Sequence, residues 1–166
     1  MAAIKNLKDL YLDGIKDLYS ACKQAVPVTE ELAAAAKNAD LKQALEASAK
    51  GTRDGMAQME KLAKSHGEDA SGEHCKGMEG LVTEARKHAL EAEFADDEVK
   101  DAAIIAQYQR LAHYAITGYG TLKAWAKRLD LAEDAKVLDE CTASTYEGDE
   151  DMTKIAVKGG VNKAAL

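Results

Sequence analysis

The feature that most constrains this chain is a heptad spacing across its third quarter. Ile105, Ala112, Tyr119 and Ala126 fall seven residues apart, and Tyr108, Ala115, Leu122 and Leu129 form a second row beside them. Two neighbouring rows at that period predict one long helix, from about Asp97 to Arg128, that buries a single seam against other helices. A strand would alternate every second residue, and no segment of the chain keeps that alternation.

Three other segments carry the helical period. Residues 6–37 place Leu7, Tyr11, Leu18, Cys22, Ala25 and Leu32 at three-, four- and seven-residue steps, with a bend expected at Pro27, the chain's one proline. Residues 40–65 carry Leu41, Leu45, Ser48, Thr52, Met56, Met59 and Leu62, with Asn38 or Asp40 as N-cap and His66-Gly67 as the stop. Gly51 and Gly55 lie inside this helix, where each costs roughly 1 kcal/mol relative to Ala, so each signals close packing or a missing side chain. Residues 131–157 repeat the pattern through Leu138, Thr145 and Met152, and through Cys141, Gly148 and Ile155.

Between the second and third long helices, residues 73–92 form a shorter helical stretch with Met78, Leu81 and Val82. Two parallel neighbours need such a crossover, so the expected fold is all-α: a four-helix bundle with a helical crossover. Residues 1–157 form one domain, and residues 158–166, which contain Gly159-Gly160, are expected to fray. Aromatic residues are only 5% of the chain, so the core is built mainly from Ala, Leu, Ile, Val and Met.

The formal charge of −7 disfavours non-specific contact with nucleic acid or anionic lipid. No stretch approaches the ~20 apolar residues of a membrane helix, and the start MAAIKNLKDLYLDG lacks the basic and apolar regions of a secretion signal. Cys22, Cys75 and Cys141 are too few and too scattered for a disulfide scaffold, which points to a reducing, cytoplasmic setting.

A bundle that holds two hard cations draws one Glu from each of two helices and a Glu-x-x-His from each of the others. This chain contains no Glu-x-x-His. Of its four histidines only His113 is mid-bundle, one step off the Ala112/Ala115 seam. It reads as a lone metal ligand or proton carrier, or else as a boundary histidine paired to a neighbour, and the absence of carboxylates beside it favours the second. Asp9, Asp13 and Asp17, with Lys8 and Lys16 between them, read as a solvated face. Asp134, Asp139 and Glu140 fit helix-dipole and solvation roles, and Glu147, Asp149, Glu150 and Asp151 an acidic surface. Cys22 and Cys141 occupy inward rows, as a soft-metal or redox pair or as two small buried residues. Tyr19, Tyr108, Tyr114 and Tyr119 are large wedges whose hydroxyls need partners. The GYG at Gly118–Gly120 sits inside a helical pattern and has no Walker lysine.

Several stretches, taken in order, resemble the YciE/YciF family of bacterial ferritin-like proteins. They are DLYLDGIKDLYSACKQ, NADLKQALEA, CKGMEGLVTEA, DAAIIAQYQRLAHYAITGYGTLKAWAKRL, AKVLDE and DMTKIAVKGGVNKAA, and together they span nearly the whole chain. The resemblance implies a ferritin-like fold, a homodimer, a bacterial cytoplasmic setting, a link to stress responses and a carboxylate-rich site for two iron or manganese ions. Carried over residue by residue, that site falls at Cys22 where YSAEKQ is usual, and at Ser48 and Gly51 where His and Glu are usual. It continues at Ala112 and Ala115, where glutamates flank the pair kept here as His113-Tyr114, and at Ala143 and Ser144, where glutamates are usual.

The departure is concentrated at the ligand positions while the surrounding frame stays family-like, and each replacement is smaller and carries no formal charge apart from the titratable thiol of Cys22. The reading is therefore a non-enzymatic, metal-free, stress-associated bundle that acts structurally or through assembly, with Met78, Leu81 and Val82 as an exposed dimer seam. One alternative is a di-iron or di-manganese oxidoreductase with rearranged ligands, drawing on Glu79, His113 and the acidic end of the last helix, with Tyr114 and Tyr119 as residual polar groups. The other is a small-molecule binding bundle that uses the vacated site. A cavity above about 300 Å³ would favour that last reading, and tight packing the structural one.

Overall fold

The computed structural model describes residues 3–166. Four long helices form the bundle: α1 (Leu7–Ala35), α2 (Ala39–Ser65), α4 (Asp97–Arg128) and α5 (Ala132–Val157). Helix α3 (Lys76–Ala85) and a following π-helical turn (Arg86–Leu90) make the crossover. The fold is the four-helix bundle with a helical crossover expected from the spacing, in the ferritin-like arrangement that the resemblance implies.

Helix starts follow local chemistry. Asn6, Asn38 and Asp96 each accept a hydrogen bond from the backbone N–H three residues on, at 3.0, 3.0 and 2.8 Å. Gly67, at φ 75°, takes the left-handed conformation that ends α2. Helix α1 runs without a break through Pro27.

Helix α1 packs along α2 and α4 along α5, while α1 also meets α4 and α2 meets α5. This square puts α1 diagonal to α5 and α2 diagonal to α4. The first heptad row of α4 is buried throughout: Ile105, Ala112, Tyr119 and Ala126. Close approach is set by glycine where helices meet. A Cβ at Gly118 would lie 2.8 Å from Leu18, and one at Gly55 would collide with the Tyr119 hydroxyl.

Two expectations need correction. The crossover does not expose Met78, Leu81 and Val82 as a seam. Met78 and Val82 are buried and Leu81 is partly buried, because α3 lies across α1 and α4 and turns its apolar row inward. Arg86 ties the end of this crossover to α1, donating from Nε and Nη2 to the two carboxylate oxygens of Glu31 at 2.8 Å each. The arginine holds the Glu31 carboxyl below its usual range. Likewise the tail does not fray throughout. Residues Val161–Ala164 form a short helix, α6, that packs on α4 and α5, with Val161 buried.

An acid on α4 fixes the α1–α2 turn. Asp101 is 3% exposed and accepts from the backbone N–H of Lys37 at 2.9 Å and of Asn38 at 2.7 Å. Both are donors that a helix–helix turn would otherwise leave unsatisfied. Among the described residues no helix is long and apolar enough to cross a membrane.

Candidate functional site

Helices α2 and α5 are closely packed near their ends and open in the middle. On α2, Leu41 and Leu45 are buried, as are Met59 and Leu62, but between them Ser48 and Thr52 are half-buried and Gly51 is exposed. On α5, Leu138 and Met152 are buried, while Cys141, Thr145 and Gly148 between them are only partly covered. Large side chains at the ends and small ones at the centre leave a cavity of about 410 Å³ that is partly open to solvent.

Six of the seven positions singled out for the vacated site line this cavity: Cys22 from α1, Ser48 and Gly51 from α2, Ala112 and Ala115 from α4, and Ser144 from α5. Ala143 does not. Both Ala143 and Ser144 are exposed, but only Ser144 shares the face of α5 that carries Cys141 and Gly148. The volume exceeds the 300 Å³ mark, so the centre of the bundle is not tightly packed.

The polar atoms inside are neutral. The Cys22 thiol lies 3.3 Å from the Tyr119 hydroxyl, and both residues are buried. Burial pushes the Cys22 thiol up to about 11 and the Tyr119 phenol well above its ordinary value. Cys141, at the cavity wall, is also pushed up to about 11, by burial first and then by the charge of Glu140. Tyr108 is raised by burial, and Ser48 partly offsets the shift by hydrogen bonding.

Two hard cations require several carboxylate oxygens between them. The inward positions offer a protonated thiol, hydroxyls, methyl groups and no side chain at Gly51. Carboxylates occur along the cavity only as Asp54, Glu140, Glu147 and Asp151. Among the described residues no three His, Cys, Asp or Glu side chains are grouped so as to hold a metal ion. These residues do not fit the iron or manganese pair that the family resemblance implies.

The remaining candidates point elsewhere. His113 is mostly exposed, and its Nε2 pairs with Asp149 at 3.1 Å. Glu79 is on the crossover surface, accepting from Lys76 and His74 at 2.7 Å each, and those partners hold its carboxyl low. The Tyr114 hydroxyl is 2.9 Å from the Cys75 thiol and donates to Asp17 at 3.3 Å, away from the cavity. Burial raises both the Tyr114 phenol and the Cys75 thiol.

A polar network at the end of the bundle had no signal of its own in the sequence. Tyr11 donates to Asp134 Oδ2 at 2.8 Å, and His66 Nε2 lies 2.7 Å from the same oxygen. Lys8 Nζ lies 2.9 Å from His66 Nδ1. An ammonium can only donate, so His66 accepts at Nδ1 and gives its Nε2 proton to Asp134. Tyr11 was legible as a member of an apolar row, His66 as a helix stop and Asp134 as a first-turn acid. Nothing in the local pattern joins residues this far apart.

A family model described as a domain of unknown function, DUF892, matches residues 6–166. Protein YciF of Escherichia coli (strain K12) is 33% identical over 163 residues, covering 98% of this chain and 96% of that protein. The crystal structure of the E. coli stress protein YciF superposes with a TM-score of 0.88 at 30% identity, over 96% of this chain and 99% of that one. YcfI of Rhodopseudomonas palustris superposes with a TM-score of 0.86 at 32% identity, over 93% and 97%.

Proposed function

Because the chain belongs to the DUF892 family, we propose that it is a stress-associated, non-enzymatic member whose di-metal site has been dismantled and whose role is structural or through assembly. The observation that carries the reading is the ligand-free lining. Cys22, Ser48, Gly51, Ala112, Ala115 and Ser144 surround the centre of the bundle and none is a carboxylate or an imidazole. Four or more carboxylates without cations would repel one another and pay a desolvation penalty of several kcal/mol, so replacing all of them together stabilises a metal-free frame. The link to stress rests on the E. coli relative, which is described as a stress protein.

We assign the chain a cytoplasmic setting and a homodimeric state on the same resemblance. The apolar row of the crossover faces inward, so Met78, Leu81 and Val82 do not offer an exposed seam for that contact. Anaerobic titration with Fe(II) and with Mn(II), followed by elemental analysis of the desalted protein, tests the metal-free reading. The expected result is less than one ion per chain, and a stoichiometric pair overturns it. Sedimentation equilibrium tests the dimer.

A further inference from the structure

The cavity is larger than a metal-free structural role requires, and its lining has a definite chemical bias. Its inner wall is apolar, formed by Leu18, Ala21, Ala25, Leu111, Ala112 and Ala115. Of the polar atoms there, the Tyr108 hydroxyl is engaged by Ser48, and the Cys22 thiol and Tyr119 hydroxyl already face one another. Burial keeps both protonated at neutral pH, so the interior presents no charge to a ligand. An apolar cavity of this kind gains little from water and readily takes an apolar guest.

Charge enters only at the opening. Asp54, Glu140, Glu147 and Asp151 line it, and no Lys, Arg or His does. Asp54 is paired with Lys50, and Asp151 with Lys154. Among the described residues Glu140 and Glu147 have no ion-pair partner; seven residues apart on α5, they are about 10 Å from each other along one edge. An anionic head group at that edge meets only negative charge, whereas an ammonium finds two uncommitted carboxylates.

We propose that the cavity binds a small amphipathic amine, with its apolar body against Ala112 and Ala115 and its ammonium beside Glu140 and Glu147. This goes beyond the structural role and rests on the cavity alone, so it stands or falls separately from the metal titration. The ligand class follows from shape and charge together: the apolar wall selects the body and the α5 edge selects the sign of the head.

The test uses three probes of one length, hexylamine, hexanol and hexanoate, titrated into the full chain at low salt and followed by amide chemical shifts. All three share the apolar body, so their ratios report the head group. We expect shifts at residues lining the cavity, with the amine binding roughly fivefold more tightly than the alcohol and the carboxylate more weakly than either. The preference for the amine should shrink in 0.5 M NaCl, where exposed charges are screened. The double substitution Glu140→Gln and Glu147→Gln, at exposed positions, should bring the amine down to the affinity of the alcohol and leave the alcohol unchanged. Ala112→Leu, and separately Gly51→Met in case the first variant folds poorly, should weaken all three by filling the space. Equal affinities, shifts outside the cavity, no binding of any probe, or indifference to both filling variants would overturn the proposal. So would a preference that survives the double substitution, which would report only the net negative charge of the chain.

Discussion

The Tyr119 hydroxyl and the Cys22 thiol meet at 3.3 Å in the middle of the bundle, across the space between α4 and α1. Tyr119 also fixes Gly55 on α2, because a Cβ there would collide with its hydroxyl. One phenol thus braces α1, α2 and α4 at the level where the family resemblance places a metal pair. The contact is between two neutral groups, which tolerate burial as carboxylates do not.

The thiol should therefore be chemically silent. With its pKa near 11 instead of the ordinary 9.0, Cys22 carries roughly a hundredfold less thiolate at neutral pH. Iodoacetamide at pH 7.5 should label Cys22 roughly a hundredfold more slowly in the folded protein than after unfolding, as read by mass spectrometry. Labelling in the folded protein at the rate of a free thiol would contradict the closed contact with Tyr119.

The same shift sets a pH dependence. Between about pH 9 and 11 the unfolded thiol has lost its proton and the folded one keeps it, so unfolding releases a proton. Stability falls with rising pH across that window, by about 1.4 kcal/mol per pH unit for one such group, and is unaffected below it. Urea midpoints measured from pH 8 to 11 should show the decline, and Cys22→Ala should make it shallower by about one proton.

Gly51 and Gly55 carry the same helical cost for opposite reasons. A Cβ at Gly51 meets nothing within 4 Å, because that position faces the cavity. Gly51→Ala should stabilise the protein by roughly 1 kcal/mol, a rise of about 2–4 °C in Tm for a chain of this size. Gly55→Ala gains the same propensity but drives a methyl group into the Tyr119 hydroxyl, so its Tm should fall. Two thermal melts distinguish a missing side chain from a forced one.

The contrast marks what the sequence could and could not reveal. Heptad rows are a local property, and those of α4 led directly to its length, Asp97–Arg128, and to the burial of Ile105, Ala112, Tyr119 and Ala126. Gly51 and Gly55 look alike in a helical pattern, and only the position of Tyr119, 64 residues further on, separates them. Ala143 and Ser144 are adjacent in sequence, yet the turn of α5 sends only Ser144 to the cavity. Asp134 reads as an ordinary acid near the start of a helix, and nothing in the local pattern singles out Asp101. Their burial depends on donors contributed by α1, α2 and the turn between them.

Asp134 offers the sharpest test of that non-local chemistry. Its Oδ2 accepts from Tyr11, which is fully buried, and from His66, so one carboxylate oxygen joins α5 to α1 and to the end of α2. Asp134→Ala leaves the Tyr11 hydroxyl buried without an acceptor and should cost about 2–4 kcal/mol. Tyr11→Phe removes the donor and its need together, and should cost only about 1 kcal/mol. In the double variant the two losses should not add, because the orphaned hydroxyl is gone. Urea unfolding of the wild type, both single variants and the double gives this cycle. Simple additivity would mean that the Tyr11–Asp134 bond contributes nothing to holding α5 against α1.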